Sequence, residues 1–193
     1  MFCSPGKVEI MKKSNWFVYT VGFLACFLVR LLPFRAPNVE PILSAQMPFS
    51  RSYGALAGFF FGFASIVLFD LATNHVGIWT IVTAFAYGFL GVGATFYFKN
   101  KGNSAKTYVS FAIVATIAYD AVTGLTVGPL FFHQPITVAF AGQIPFTILH
   151  LVGNISFAYF ISPALYRMIE YYQKPKPVEN ASLIINNPLT NLS

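Results

Sequence analysis

The stretch Tyr53–Phe98, YGALAGFFFGFASIVLFDLATNHVGIWTIVTAFAYGFLGVGATFYF, holds two long apolar runs, about Tyr53–Leu71 and Ile78–Phe98, joined by a short polar connection. Asp70 is its only charged residue. Apolar runs of about 20 residues match the hydrocarbon core of a bilayer when they are helical. In lipid the backbone must satisfy its own hydrogen bonds, which leaves the helix as the conformation for such a run. The stretch therefore reads as two antiparallel transmembrane helices.

The same reading extends outward along the chain. A first span covers about Trp16–Leu32 and stops at Pro33. Val39–Phe49 is short for a crossing and holds Pro41 and Pro48, which suits a short helix shielded by its neighbours or a re-entrant piece. Further spans cover about Ala105–Leu125 and Val138–Ile161, the last continuing past Pro163 to Tyr172. Thr126–Thr137 reads as a long loop, and the polar tail from Gln173 as disordered. With 56% hydrophobic and 9% charged residues, the chain cannot cover a water-facing surface. The expected fold is an all-α integral membrane protein, a compact bundle of about six transmembrane helices. Residues 1–14 form a cytoplasmic segment, 15–172 the membrane domain and 173–193 a flexible cytoplasmic tail. Residues 12–26 imitate a signal peptide, but the apolar run continues to Leu32, so a retained first helix is expected. Met11 reads as a natural start, which makes residues 1–10 a dispensable extension.

Charge sets the orientation. With six crossings, Lys7, Lys12, Lys13, Arg51, Lys99, Lys101, Lys106, Arg167, Lys174 and Lys176 fall on one side, and only Arg30 and Arg35 on the other. The positive-inside rule places the first group, and both termini, in the cytoplasm. A re-entrant second segment would send Lys99–Lys106 to the opposite side and abolish the bias. The net charge of +6 is thereby explained by topology, and nucleic acid is not expected as a partner.

Polar residues inside spans mark the candidate site. Gln143, Thr147, His150 and Asn154 are spaced four, three and four apart, which puts them on one narrow helical face. Thr116, Asp120 and Thr123 repeat the pattern, and Thr80, Thr83 and Tyr87 form a weaker stripe. Polar groups facing lipid are costly, so these faces should point into the bundle. They either line a ligand site or act as interhelical glue, whose bonds average about 0.6 kcal/mol each. Asp120 and His150 can reach one level in the outer half of the membrane, as a ligand-binding couple or as a purely structural pair of Asp120 with His150 or Asn154. The outer connections add Arg35, Asn38 and Glu40, then Asp70, Asn74, His75 and Trp79, then His133 and Gln134. The candidate binding set is Asn38, Glu40, Asp70, Trp79, Thr83, Tyr87, Asp120, Thr123, Gln143, Thr147, His150 and Asn154. Gly54, Gly58 and Gly62 form a small-residue row that packs within the bundle or docks another subunit.

No GxxxxGK[ST], HExxH or GxSxG motif occurs, and Cys3 and Cys26 stand alone. Neither a metal nor a cofactor is expected.

RLLPFRAPNVEPILSAQMPFSRSYGALAGFFFGFASIVLFDLAT (Arg30–Thr73), AYDAVTGLTVGPLFF (Ala118–Phe132) and QIPFTILHLVGNISFAYFISPALYR (Gln143–Arg167) resemble, in that order, the substrate-binding S components of energy-coupling factor transporters. The resemblance implies a six-helix receptor for a vitamin or related micronutrient, with cytoplasmic termini and a pocket near the outer face. It also implies a membrane T component and a pair of ABC-type ATPases as partners, and delivery by toppling in the membrane. Many members carry Ala-x-x-x-Ala on the first helix for docking. Here Ala25 has Val21 and Val29 at those spacings, and Gly22 with Cys26 is the small pair that stands in.

The expected function is a non-enzymatic S component in the cell membrane. Glu40, Asp70 and Asp120 against Arg30 and Arg35 favour a neutral or cationic, partly aromatic ligand. The rivals are an intramembrane enzyme using Asp120 and His150 as an acid–base pair and a structural membrane subunit.

Overall fold

The computed structural model describes residues 16–32 and 40–174. Among the described residues seven helices follow one another: α1 (Trp16–Arg30), α2 (Ile42–Tyr53), α3 (Ala55–Ala72), α4 (Ile78–Phe98), α5 (Ala105–Gly124), α6 (Val127–Phe132) and α7 (Ile136–Gln173). Four helical stretches, at α3, α4, α5–α6 and α7, are long and apolar enough to cross a membrane, and α1 is a shorter apolar helix. Phe17, Leu56 and Phe160 each leave about three quarters of their surface exposed, as lipid-facing side chains do.

The short second segment is the centre of the bundle. Every residue from Pro41 to Ser50 is buried, and α2 touches α1, α3, α4, α5 and α7. Its 12 residues span only about 18 Å, yet its two ends lie at opposite ends of the bundle. Glu40, just before it, pairs with Arg30 at the end of α1 (3.3 Å). Arg51, near its other end, bonds the Lys101 and Gly102 carbonyls between α4 and α5. The segment is thus a crossing helix shielded by its neighbours, shifted towards the C-terminus of the expected Val39–Phe49. Gly54, at φ 94°, breaks the chain between α2 and α3.

Side-chain hydrogen bonds replace what a mid-bundle proline removes. Pro48 lies inside α2 and has no N–H to give the Ser44 carbonyl four residues back. Ser162 Oγ of α7 donates to that carbonyl at 2.7 Å. Gln46 Nε2 donates to the carbonyls of Gly58 (2.9 Å) and Tyr87 (2.8 Å), tying α2 to α3 and α4. Thr95 Oγ1 donates to the Ser50 carbonyl (3.1 Å).

The glycine row packs within the chain. Gly58 and Gly62 are buried. A Cβ on Gly58 would run into Ser50 and lie 2.8 Å from the Gly91 carbonyl oxygen; one on Gly62 would meet Gln46 and the Tyr87 carbonyl. The missing side chains let α3 approach α2 and α4. At Gly58 and Gly62, α2 and α4 occupy that face, which is the packing alternative of the two that the spacing left open. Gly54 has open space around it and serves the turn. On α1, a Cβ at Gly22 would meet the Phe49 ring, and Gly22 and Cys26 both line an apolar groove between α1 and α7.

Two boundaries differ from the sequence reading. The expected loop Thr126–Thr137 contains α6, which stops at His133 in the left-handed region (φ 53°). Gln173, expected to begin the tail, is the last residue of α7 and is buried.

Candidate functional site

Two polar bridges join α5 to α7. His150 Nδ1 lies 2.8 Å from Asp120 Oδ1, and Asn154 Nδ2 donates to Thr116 Oγ1 at 2.8 Å. Each bridge is one turn from the other on both helices, as an antiparallel pair requires. All four residues are buried. A carboxylate oxygen accepts, and the ring tautomer with its proton on Nδ1 would donate to it and keep a lone pair at Nε2. Asp120 Oδ2 and Asn154 Oδ1 are buried without a protein partner. The bridge thus leaves unused acceptors rather than unused donors.

A second polar group lies where α1, α3 and α4 end or begin. Arg30 is buried. Its guanidinium donates to the Ser65 carbonyl (2.8 Å), pairs with Glu40 and stacks over Phe69 (4.1 Å to the ring centre). Thr80 Oγ1 donates to Asp70 Oδ2 at 2.6 Å and accepts from the Gly77 N–H, fixing the start of α4 on the end of α3. Paired and hydrogen-bonded charges are the form in which charge survives burial.

Tyr87 and Tyr119 connect the two groups. Their ring centres are 4.5 Å apart, and Tyr119 also meets the His150 ring edge-on (5.9 Å). Glu40, Arg30, Asp120 and Asp70 all lie within electrostatic reach of Tyr119. One end of the bundle therefore gathers three carboxylates, a guanidinium, an imidazole and two phenol rings.

The N-terminal half of the α7 stripe behaves differently. Gln143 and Thr147 are half-buried and line a crevice of about 280 Å³ between α5 and α7, with Ile117, Ala121, Leu125 and Phe140. Gln143 sits where a Cβ on Gly124 would be, and its Nε2 lies 3.4 Å from Thr147 Oγ1. The crevice continues the face that carries His150 and Asn154.

Other expected residues take peripheral places. Trp79 donates to the His75 carbonyl (3.1 Å) and packs on Phe132 of α6, at the rim. Thr83 gives its hydroxyl to the Trp79 carbonyl (2.7 Å), and Thr123 to the Tyr119 carbonyl (2.9 Å), so both serve their own helices. Asn38 lies outside the described residues. Tyr119, Arg30 and Thr80 enter the site although the sequence reading did not include them in the binding set. Arg30 carried a signal, a cation closing an apolar span with Glu40 soon after it. Tyr119 carried none beyond its place next to Asp120.

The family model described as ECF-type riboflavin transporter, S component, matches residues 17–168, most of the chain. The chain belongs to this family. No curated protein and no solved structure matches it. The S-component assignment agrees with the resemblance in Arg30–Thr73, Ala118–Phe132 and Gln143–Arg167, all of which the match spans. It places the chain among membrane transporter subunits, and the polar cluster at one end of this S component is its candidate substrate site.

Proposed function

We propose that the chain captures riboflavin at the end of the bundle where Arg30, Asp120 and His150 gather, and passes it to a membrane T component driven by ABC-type ATPases. That end faces outward and both termini are cytoplasmic, a reading supported by the ten-to-two division of Lys and Arg. The observation that carries the ligand assignment is the set of unused acceptors on Asp120 and Asn154 beside the Tyr87–Tyr119 pair. Riboflavin is neutral. Its ring system offers an imide N–H and flat faces for aromatic contact, and its sugar-alcohol chain offers hydroxyl donors. A site that supplies acceptors and aromatic surface matches those donors.

The acid–base reading of Asp120 and His150 explains less. The family consists of transporter subunits, and ligand recognition accounts for the pair without a reaction. Energy must come from elsewhere, since the sequence has no P-loop. In proteoliposomes the purified chain should bind riboflavin without accumulating it, and accumulation should require a T component, the ATPases and ATP. Accumulation against a gradient by the chain alone would contradict the subunit role.

A further inference from the structure

The end of the bundle opposite the candidate site holds a polar cavity. It has a volume of about 400 Å³ and is lined by Arg51, Thr95, Phe96, Lys99, Tyr166 and Glu170. The apolar run of α4 ends at Phe98 and Lys99 follows, so the cavity straddles the border between hydrocarbon and headgroup layers. Phe96, on its wall, is 69% exposed and belongs to the lipid-facing surface.

Arg51 is fixed in place. It donates to the Lys101 and Gly102 carbonyls and to the Tyr108 hydroxyl (3.4 Å), and it stacks over Tyr166 (4.2 Å). Its charge therefore stands at the cavity without reorganisation. Lys99 is exposed at the mouth. Lys101, whose Nζ lies 4.3 Å from the Tyr97 ring centre, adds a cation nearby. Among the described residues at this end, Arg51, Lys99, Lys101, Lys106, Arg167 and Lys174 face one carboxylate, that of Glu170.

We propose that this cavity binds the headgroup of an anionic phospholipid. Lys99 and Arg51 attract the phosphodiester, Glu170 and Tyr166 meet headgroup hydroxyls, and Phe96 lies along the first methylenes of an acyl chain. Basic pockets between transmembrane helices at headgroup depth have the chemistry for this role. A free inorganic phosphate would share the charge contacts but not the apolar wall, so the lipid is the favoured source.

The test is thermal unfolding of the detergent-purified chain titrated with phosphatidylglycerol, phosphatidylcholine or inorganic phosphate. Native mass spectrometry of the same samples counts bound lipid. Phosphatidylglycerol at about a hundred times its Kd should raise Tm by roughly 5–10 °C, with one lipid retained, while the other two leave Tm unchanged. Lys99→Ala should lose most of that rise. Lys106→Ala, an exposed cation outside the cavity, should keep it. Equal losses in both variants would reduce the effect to diffuse attraction and overturn the site. A matching rise with inorganic phosphate would overturn the lipid assignment, and no rise with phosphatidylglycerol would overturn the proposal altogether.

Discussion

Asp120→Ala should weaken riboflavin binding by about 10- to 100-fold while the protein stays folded. The carboxylate holds His150 at 2.8 Å and keeps a second oxygen unused. A hydrogen bond to a charged group contributes about 1.5–3 kcal/mol, and each 1.4 kcal/mol is tenfold in affinity. The structural share of the same bond is smaller, because side-chain bonds between membrane helices average about 0.6 kcal/mol. Affinity should therefore fall by more than stability. His150→Ala should behave similarly, and Thr83→Ala, whose hydroxyl returns to its own helix, should be nearly silent. Flavin fluorescence titration and thermal unfolding, run on each variant, separate the two quantities. A large loss of Tm with unchanged affinity would make the Asp120–His150 bridge interhelical glue.

Gly58→Leu should damage the bundle itself rather than its assembly with partners. The new Cβ would collide with Ser50 and with the Gly91 carbonyl oxygen, which lies at 2.8 Å and is backbone that cannot swing aside. Overpacking typically costs about 1–3 kcal/mol, and a branched side chain against backbone belongs at the upper end. For a chain of this size the corresponding fall in Tm is roughly 5–10 °C. Gly93→Leu, where nothing lies within 4 Å of the added Cβ, should leave Tm unchanged. If Gly58→Leu kept the wild-type Tm but failed to join a transport complex, the glycine row would be a docking face after all.

The glycine row shows where the sequence falls short. GxxxGxxxG states that something approaches α3 closely but not what approaches. The answer depends on Gly91 of α4 and on Ser50 and Gln46 of α2, which lie on other helices and have no matching pattern. The long apolar spans were legible because burial in lipid leaves a run of about 20 residues no alternative to the helix. The second crossing was only half legible. Its length argued against a full span, and its burial on all sides, which makes a short, polar, proline-containing helix tolerable, is a property of the whole bundle. α6 was missed because Val127–Phe132 is too short and too interrupted by Pro129 to show a helical period.

The candidate site divides along the same line. The stripe of His150 and Asn154 and the matching stripe of Thr116 and Asp120 could be read from spacing alone. Which partner each would take could not: Asp120 was open to His150 or Asn154, and the antiparallel register of α5 and α7 assigns it His150 and leaves Asn154 to Thr116. Tyr119 was invisible in a chain with 10 tyrosines and 22 phenylalanines, because an aromatic residue on a membrane helix is ordinarily packing. Arg30 was read as a topology signal and as a weight in the charge balance, and its hold on Glu40 and Ser65 emerged only when α1, α2 and α3 were brought together.

The most direct measurement of the central claim is titration of riboflavin into the purified chain alone, in detergent, with no T component or ATPase present. Flavin fluorescence should be quenched to saturation at one ligand per chain. A riboflavin analogue methylated at the imide nitrogen, which removes one donor that Asp120, His150 or Asn154 would accept, should bind at least about tenfold more weakly. Absence of saturable binding of riboflavin to folded protein would contradict the account.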